Sequence, residues 1–428
     1  MNVLEKMIKR NEGILKAMAE HPDPRMLRST PMIAELENDG YREMLEMWQT
    51  GKPLLPHYPS LGLAGAMGSI KAIYEDFIVT NPDPEDAKRW RQAAREMGMP
   101  GYTCEYFFLP TAAVKLGDFP PPGIGVVAPE GICHLMPYHQ KVFFEHNAGD
   151  LPTFEIDLPR EYSLEAIEYM SAQLTELVKF TEEHVPSLKY DLDLHKQIIE
   201  DQRIWSQYAT REWELKKNIP LPMGNMESCL PPFHIAPCFV GKTEKILEFW
   251  RMRVEELEER VAKGVDKKEE LRILWVMPMP RYAEETVFPL MEELGVSVPA
   301  LIFPTWFYWY GNRTLWGNDE EFGRKLTPIE EEARGAIYCG SATGSLKMAK
   351  DVIWMCQDLK CDAIICQQTC LHFGSSAKLI ADKAEKELGV PTLILCTDFL
   401  DPAAMPLPEY VSRIKEFVDI AKNRKQGR

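Results

Sequence analysis

The sequence predicts an α/β protein in which two lobes, each built on a parallel sheet, are bridged by a helical segment. Three observations carry this prediction. Apolar runs of strand length alternate with amphipathic stretches of helix length, which is the pattern of βαβ units. The middle of the chain is strongly helical. The 428 residues also exceed the roughly 250 to 300 at which a single core stops growing. The expected divisions are an N-terminal helical segment at 1–50, a first lobe at 51–160, a helical segment at 161–268 and a second lobe at 269–428.

In chain order, LEKMIKR, ILKAMAE, MIAELE and REMLEMW read as short helices that pack on a domain. GLAGAMGS at 62–69 is small and Gly-rich. GIGVVAPEGIC at 123–133 is an apolar strand, then a turn, then Cys133, and LPTFEIDLP at 151–159 is a strand bounded by prolines. Residues 163–185, 193–217 and 244–264 carry apolar residues at helical spacing, with charged faces expected to be solvated and Gly264 suited to end the third helix. LRILWVMPMP (271–280), SVPALIFP (297–304), CDAIICQ (361–367) and VPTLILCTD (390–398) read as the strands of the second lobe, separated by helices.

Composition narrows the function. A formal net charge of −16 argues against nucleic-acid binding, which needs clustered Lys and Arg; the basic KNRKQGR end reads as a solvated tail. The opening Met1-Asn2-Val3-Leu4-Glu5-Lys6 reads as an amphipathic helix start and not a signal peptide. No apolar run approaches ~18 residues. A cytoplasmic location, with no membrane partner, is the expectation.

In a reducing compartment, cysteines are small buried hydrophobes or members of a metal or catalytic site. The ten fall at 104, 133, 229, 238, 339, 356, 361, 366, 370 and 396. In open parallel sheets ligands bind beyond the carboxyl ends of the strands. Cys133 and Cys370 follow strands in that way, whereas Cys366 is within its strand, Cys361 precedes it, Cys356 belongs to a helix and Cys396 lies within LILCTD. Cys104, after a Pro-Gly turn in an aromatic stretch, is the third candidate. Three thiolates from distant loops suit an iron–sulfur cluster with one iron open, or a zinc ion with an open position. The two lobes also share a rhythm: Cys133 precedes Pro152 as Cys370 precedes Pro391, the pattern of a pseudo-twofold pair facing one cleft.

His134, His139 and His372 lie near these cysteines and are candidates for proton transfer. SATGS at 341–345 reads as a helix cap or an anion-binding turn. The aromatic run PTWFYWYGNRTLW at 304–316 reads as core, subunit interface or a wall against water. No GxGxxG or Walker A sequence is present.

GVVAPEGIC, Tyr138 to Phe144, LPTFEIDLP, CDAIICQQTC and GVPTLILCTDFLD together resemble subunits of the 2-hydroxyacyl-CoA dehydratase and benzoyl-CoA reductase family, from about residue 50 onward. The resemblance implies two Rossmann-like, doubly wound lobes. It also implies a [4Fe-4S] cluster held between them by Cys104, Cys133 and Cys370, with Cys366 the fallback for the third. It implies a related second subunit in a heterodimer, an ATP-hydrolysing iron–sulfur activator and an acyl-CoA substrate. The implied activity is a one-electron (ketyl radical) dehydration of the thioester, or electron relay to the partner subunit; the alternatives are aromatic acyl-CoA reduction of the benzoyl-CoA reductase type and a non-catalytic metal- or cluster-bearing scaffold. In one respect the chain departs from the family. Where the family often has P-x-E-L-x-x-A-x-G, this chain has YPSLGLAGAMG, with Leu61 at the Glu position and Glu75 or Asp76 as possible substitutes. The weak catalytic candidates are therefore Glu75, His134 and His372, and a larger double-cubane cluster is a variant of the same reading.

Overall fold

The structure, a computed structural model, describes residues 2–23, 25–56, 61–69, 71–72, 83–99, 105–127, 136–148, 151–159, 161–229, 243–277, 279–301, 322–338, 344–368, 373–398 and 401–427. The chain opens with α1 (Val3–Glu20) and α2 (Thr30–Thr50). It continues through β1 (Leu55–Pro56), α3 (Leu61–Ala66), β2 (Lys71–Ala72), α4 (Pro84–Glu96), α5 (Glu105–Lys115), β3 (Gly125–Val127), α6 (Met136–Ala148) and β4 (Thr153–Glu155). The helical middle comprises α7 (Leu164–His184), α8 (Leu192–Lys216), α9 (Asn225–Cys229) and α10 (Thr243–Lys263). Next come β5 (Leu271–Val276), α11 (Arg281–Glu293), β6 (Val296–Ser297), α12 (Pro328–Tyr338) and α13 (Gly344–Asp358). The chain ends with β7 (Ala363–Gln368), α14 (Phe373–Lys383) and its π-helical turn (Ala384–Leu388), β8 (Thr392–Cys396) and α15 (Leu407–Gln426).

The fold is α/β with parallel sheets, as the alternation of strands and helices predicts. β6, β5, β7 and β8 form one parallel sheet in that order. β1 pairs in parallel with β2 and β3 with β4 as two separate two-stranded ladders, linked among the described residues by an isolated bridge between Leu54 and Pro122; taken together through that bridge as the first sheet, they run β2-β1-β3-β4. The two orders correspond, strand for strand, and so do their hydrogen bonds. Gly123 donates to the Leu54 carbonyl (3.1 Å) as Asp362 donates to the Arg272 carbonyl (2.7 Å). Gly125 donates to the Pro152 carbonyl (2.8 Å) as Ile364 donates to that of Pro391 (3.0 Å). The Pro-Thr pair that begins β4 recurs at β8, where Pro has no N–H to contribute and a strand can begin.

Side chains alternate across each sheet, so both faces need cover. On the second sheet, Leu274, Val276 and Ile364 meet Trp213, Phe249, Val352 and Ala377. Ile273, Trp275 and Ile365 on the other face meet Val287, Phe288, Tyr410 and Ile414. On the first sheet, Leu54 and Val127 pack with Met7, Met44, Trp90 and Leu109, while Leu55, Ile124 and Val126 pack with Ile167 and Leu174 of α7 and with Ala333 and Ile337 of α12. Thus α12, which follows β6 in sequence, packs on the first sheet.

Two expectations change. The four short N-terminal helices are two long ones. α1 starts with a reciprocal Asn2–Glu5 capping box (2.9 Å each way) and is tied to α2 by Asn11 donating to Glu37 (2.9 Å). The charged faces of the middle helices are not all solvated either. Glu212 of α8 is buried between Arg253 of α10 (2.6 Å) and Lys216 (2.7 Å). Burial opposes ionisation of this carboxylate, but the two cations outweigh it and hold its pKa at about 2. The third helix ends as expected, with Gly264 in the left-handed region at φ +86°.

Candidate functional site

The parallel sheets direct their connections toward the carboxyl ends of the strands, where open α/β folds bind ligands. Two of these connections carry predicted site residues in sequence, β3 to α6 with Cys133 and His134 and β7 to α14 with Cys370 and His372, while Cys104 falls between α4 and α5 and Glu75 between β2 and α4. Cys104, Cys133, Cys370, His134, His372, Glu75 and Asp76 all lie outside the described residues, as do Cys238, Cys339, the aromatic run at 304–316 and Ser341 to Thr343. His139 is in α6 and half-buried. Among the described residues no three His, Cys, Asp or Glu side chains gather to hold a metal.

The described cysteines occupy other roles. Cys366 lies in β7 between Val276 and Ile394, fully buried, and burial pushes its thiol pKa far up. It is a core side chain. Cys229 is likewise buried, its Sγ 3.6 Å from the Val298 carbonyl oxygen, and Cys356 and Cys361 pack together where α13 ends, the Cys356 Sγ lying 3.7 Å from the Cys361 carbonyl oxygen. Cys396 is exposed, with its Sγ 3.1 Å from Gln368 Oε1.

At the carboxyl end of the second sheet, a buried polar set fixes the strands beside the Cys370 connection. Tyr410 of α15 donates to Gln367 Oε1 (2.6 Å), and Gln367 Nε2 donates to the Leu395 carbonyl (3.3 Å) and to Thr397 Oγ1. Just beyond β8, Asp398 and Asp401 act on groups from two other elements. One is Glu105, the residue after Cys104, buried and paired with Arg91 of α4 (Nη2 to Oε2, 3.0 Å). Burial raises the Glu105 carboxyl pKa, Arg91 opposes that, and the two aspartates add to the rise. The other is Tyr282 of α11, whose phenol is pushed up to about 12 by burial and by the same aspartates, with its hydroxyl donating to the Met405 carbonyl (2.9 Å). The chain just beyond β8 is therefore coupled electrostatically to a helix packed on the first sheet and to α11 on the second.

A second polar group lies against α3, the helix that follows β1. Tyr190 Oη is 2.8 Å from His195 Nδ1, and His195 Nε2 is 3.3 Å from Glu332 Oε1. His195 is fully buried, Glu332 nearly so, and Tyr190 is half-buried. The Glu332 carboxylate fills the space over Gly62: a Cβ there would sit 2.1 Å from Glu332 Oε1. Glycine is the residue that admits this approach. Sequence reading did not find this group. The only available signal was a His in a helix start and a Glu-Glu-Glu run that reads as solvated, and no spacing rule joins residues from α3, α8 and α12.

A family model described as "2-hydroxyglutaryl-CoA dehydratase, D-component" matches residues 84–420. The (R)-phenyllactyl-CoA dehydratase alpha subunit of Clostridium sporogenes is 22% identical over 363 residues, covering 78% of this chain and 80% of that subunit.

Proposed function

Since this chain belongs to the 2-hydroxyglutaryl-CoA dehydratase D-component family, we propose that it is the iron–sulfur subunit of a 2-hydroxyacyl-CoA dehydratase-type complex, removing water from an acyl-CoA thioester beside a related partner subunit. The observation that carries the reading is the span of the family match, 84–420, which includes Cys104, Cys133 and Cys370. The similar clostridial protein is named as an alpha subunit of a dehydratase, which supports a multi-subunit enzyme here, with an ATP-hydrolysing iron–sulfur activator as the expected electron donor. No helix among the described residues is long and apolar enough to cross a membrane.

The donor set fits a cluster by its chemistry. Cys104, Cys133 and Cys370 are three thiolates, the ligand type iron–sulfur clusters take, and Cys366 is unsuited because its side chain is packed inside β7. When bound, the cluster would supply low-potential electron transfer and a Lewis-acidic iron. The remaining work falls to the protein. Gln367 and Tyr410 lock the end of β7 that leads to Cys370, so the loop starts from a rigid strand. Arg91 neutralises Glu105 beside Cys104, which limits negative charge where anionic thiolates gather.

Anaerobic purification with the partner tests this reading. The expected result is about four irons per chain, and turnover of (R)-phenyllactyl-CoA or (R)-2-hydroxyglutaryl-CoA to the unsaturated thioester once activator and ATP are added. Zinc in place of iron, or iron-loaded complex that dehydrates no 2-hydroxyacyl-CoA, would sink it.

A further inference from the structure

We propose that Tyr190, His195 and Glu332 form a proton path from the protein surface to the carboxyl end of the first sheet, where it serves the dehydration. The inference rests on the function proposed above. It goes beyond that reading in assigning proton traffic to residues outside the cysteine set.

The geometry has a direction. Tyr190 is half-buried at the start of α8, beside the exposed Leu192 and Leu194. Its hydroxyl touches one nitrogen of a fully buried imidazole, whose other nitrogen touches a buried carboxylate. That carboxylate ends over Gly62, in the first turn of the helix after β1. Three protonatable groups in series thus lead from a half-buried phenol to the helix that follows β1. Among the described residues each ring nitrogen has one partner, so the imidazole can accept a proton on one side and release one on the other.

The surroundings keep the path separate. Glu331, next to Glu332, is taken up by Arg203 (3.1 Å) and Arg334, and burial raises its pKa despite both cations. Glu182 accepts from the Tyr190 backbone N–H (3.0 Å), and Asp191 caps α8 by accepting from Asp193 (3.0 Å) and Leu194 (2.9 Å). Gln202 and Ile198 complete the wall around Gly62. Burial, with Glu332 and Asp191 nearby, raises the Tyr190 phenol to about 12, so the hydroxyl stays protonated and passes protons without becoming a stable anion.

The proton balance suits such a path. Dehydration of a 2-hydroxyacyl thioester breaks the C–O bond at carbon 2 and a C–H bond at carbon 3, and forms a double bond between them. The hydroxyl leaves as water after gaining one proton, and carbon 3 gives up one proton. The path carries one of these and returns the other, with no net oxidant or reductant.

The test uses the anaerobic complex with partner and activator. His195→Gln keeps a donor and an acceptor but no titratable proton. Turnover should fall about 100-fold, the scale of general acid–base catalysis, with iron content and thermal midpoint unchanged, and Tyr190→Phe should fall less while shifting the pH profile. Either variant turning over within twofold of the parent, with an unshifted pH profile, overturns the proposal. Histidine C2–H deuterium exchange read by mass spectrometry needs no substrate. His195 should exchange despite its burial, and its exchange should slow in Tyr190→Phe, which cuts the link to the surface; an imidazole that does not exchange overturns the proposal even if His195→Gln fails to fold. A parent complex that holds iron yet dehydrates nothing sinks the function proposed above, and the exchange experiment then decides the path alone.

Discussion

The two sheets share strand order and matching hydrogen bonds, yet they are built differently. In the second sheet β5 and β7 have six residues each, β8 five and the edge strand β6 two; in the first, β1 and β2 have two each and β3 and β4 three. LRILWV is buried at every position, as a central parallel strand requires. The first sheet is interrupted by residues that pair poorly: Pro56 has no N–H to give β1, and Gly125 offers β3 no side chain. β4 exposes Thr153 and Glu155. One topology thus serves two ends: a rigid platform of long strands, and a lighter sheet held by helices, including α12 from beyond β6. The proposed ligands come from both, which makes the comparison testable.

The largest effect concerns those ligands. If both sheets hold one cluster, Cys133→Ser after β3 and Cys370→Ser after β7 each reduce bound iron to background, while Cys366→Ala, inside β7, keeps it. Iron analysis and visible absorbance of the anaerobic protein check this. Loss from only one of the two loop variants would confine the site to one sheet.

The next prediction exchanges a matched position. Leu54 and Arg272 stand in the same place in the two sheets, each carbonyl accepting from the residue that leads into the neighbouring strand. Arg272 is buried and donates to the carbonyls of Lys216 (2.8 Å), Leu359 (3.2 Å) and Asn218, and to Glu269 (2.7 Å). Arg272→Leu, which gives the second sheet the residue of the first, leaves Glu269 buried without its cation and should cost about 3 to 5 kcal/mol in chemical denaturation. A cost below 1 kcal/mol would mean that the middle helices do not need this tie to the sheet.

The same contrast governs what the sequence revealed. The platform was legible because continuous burial writes itself as apolar runs, so β5, β7 and β8 and the helices α7, α8 and α10 fall within a few residues of their expected limits. The lighter sheet was harder: GLAGAMGS gave no strong periodicity, and its helix α3 exists against a carboxylate from α12, about 270 residues away. His195 and Glu332 were invisible for that reason. Glu212 was misread because Arg253, the larger of the two cationic influences on it, comes from another helix. The cysteine positions relative to the strands were readable from order alone, although Cys104, Cys133 and Cys370 themselves lie outside the described residues.

Acid should weaken the helical side of the second sheet. The Glu212 carboxylate is held at about 2 in the folded protein, below its ordinary value near ~4.3. A depressed folded pKa means that its contribution is complete above that ordinary value and is lost as pH falls toward about 2. This shift of a fully buried group corresponds to roughly 3 kcal/mol. Glu212→Gln should therefore be less stable than the parent at pH 7 and change less between pH 5 and pH 2. Parallel acid-denaturation curves for the two proteins would assign the acid sensitivity elsewhere.

The smallest expected effect lies on the other side of the comparison. α1 packs Val3, Leu4 and Met7 into the core that covers the first sheet, and its start depends on the Asn2–Glu5 box. Asn2→Ala removes the side-chain acceptor for the Glu5 N–H, and with it the reciprocal arrangement, at about 1 kcal/mol. Because two- and three-residue strands contribute few ladder bonds of their own, this loss should appear as faster amide exchange at β1 and β3 as well as in α1. Exchange at β5 and β7, paired through four residues of each strand, should not change. Exchange confined to α1 would show that the first sheet holds without its helical cover; exchange that spread equally to β5 and β7 would show that the two sheets open as one unit.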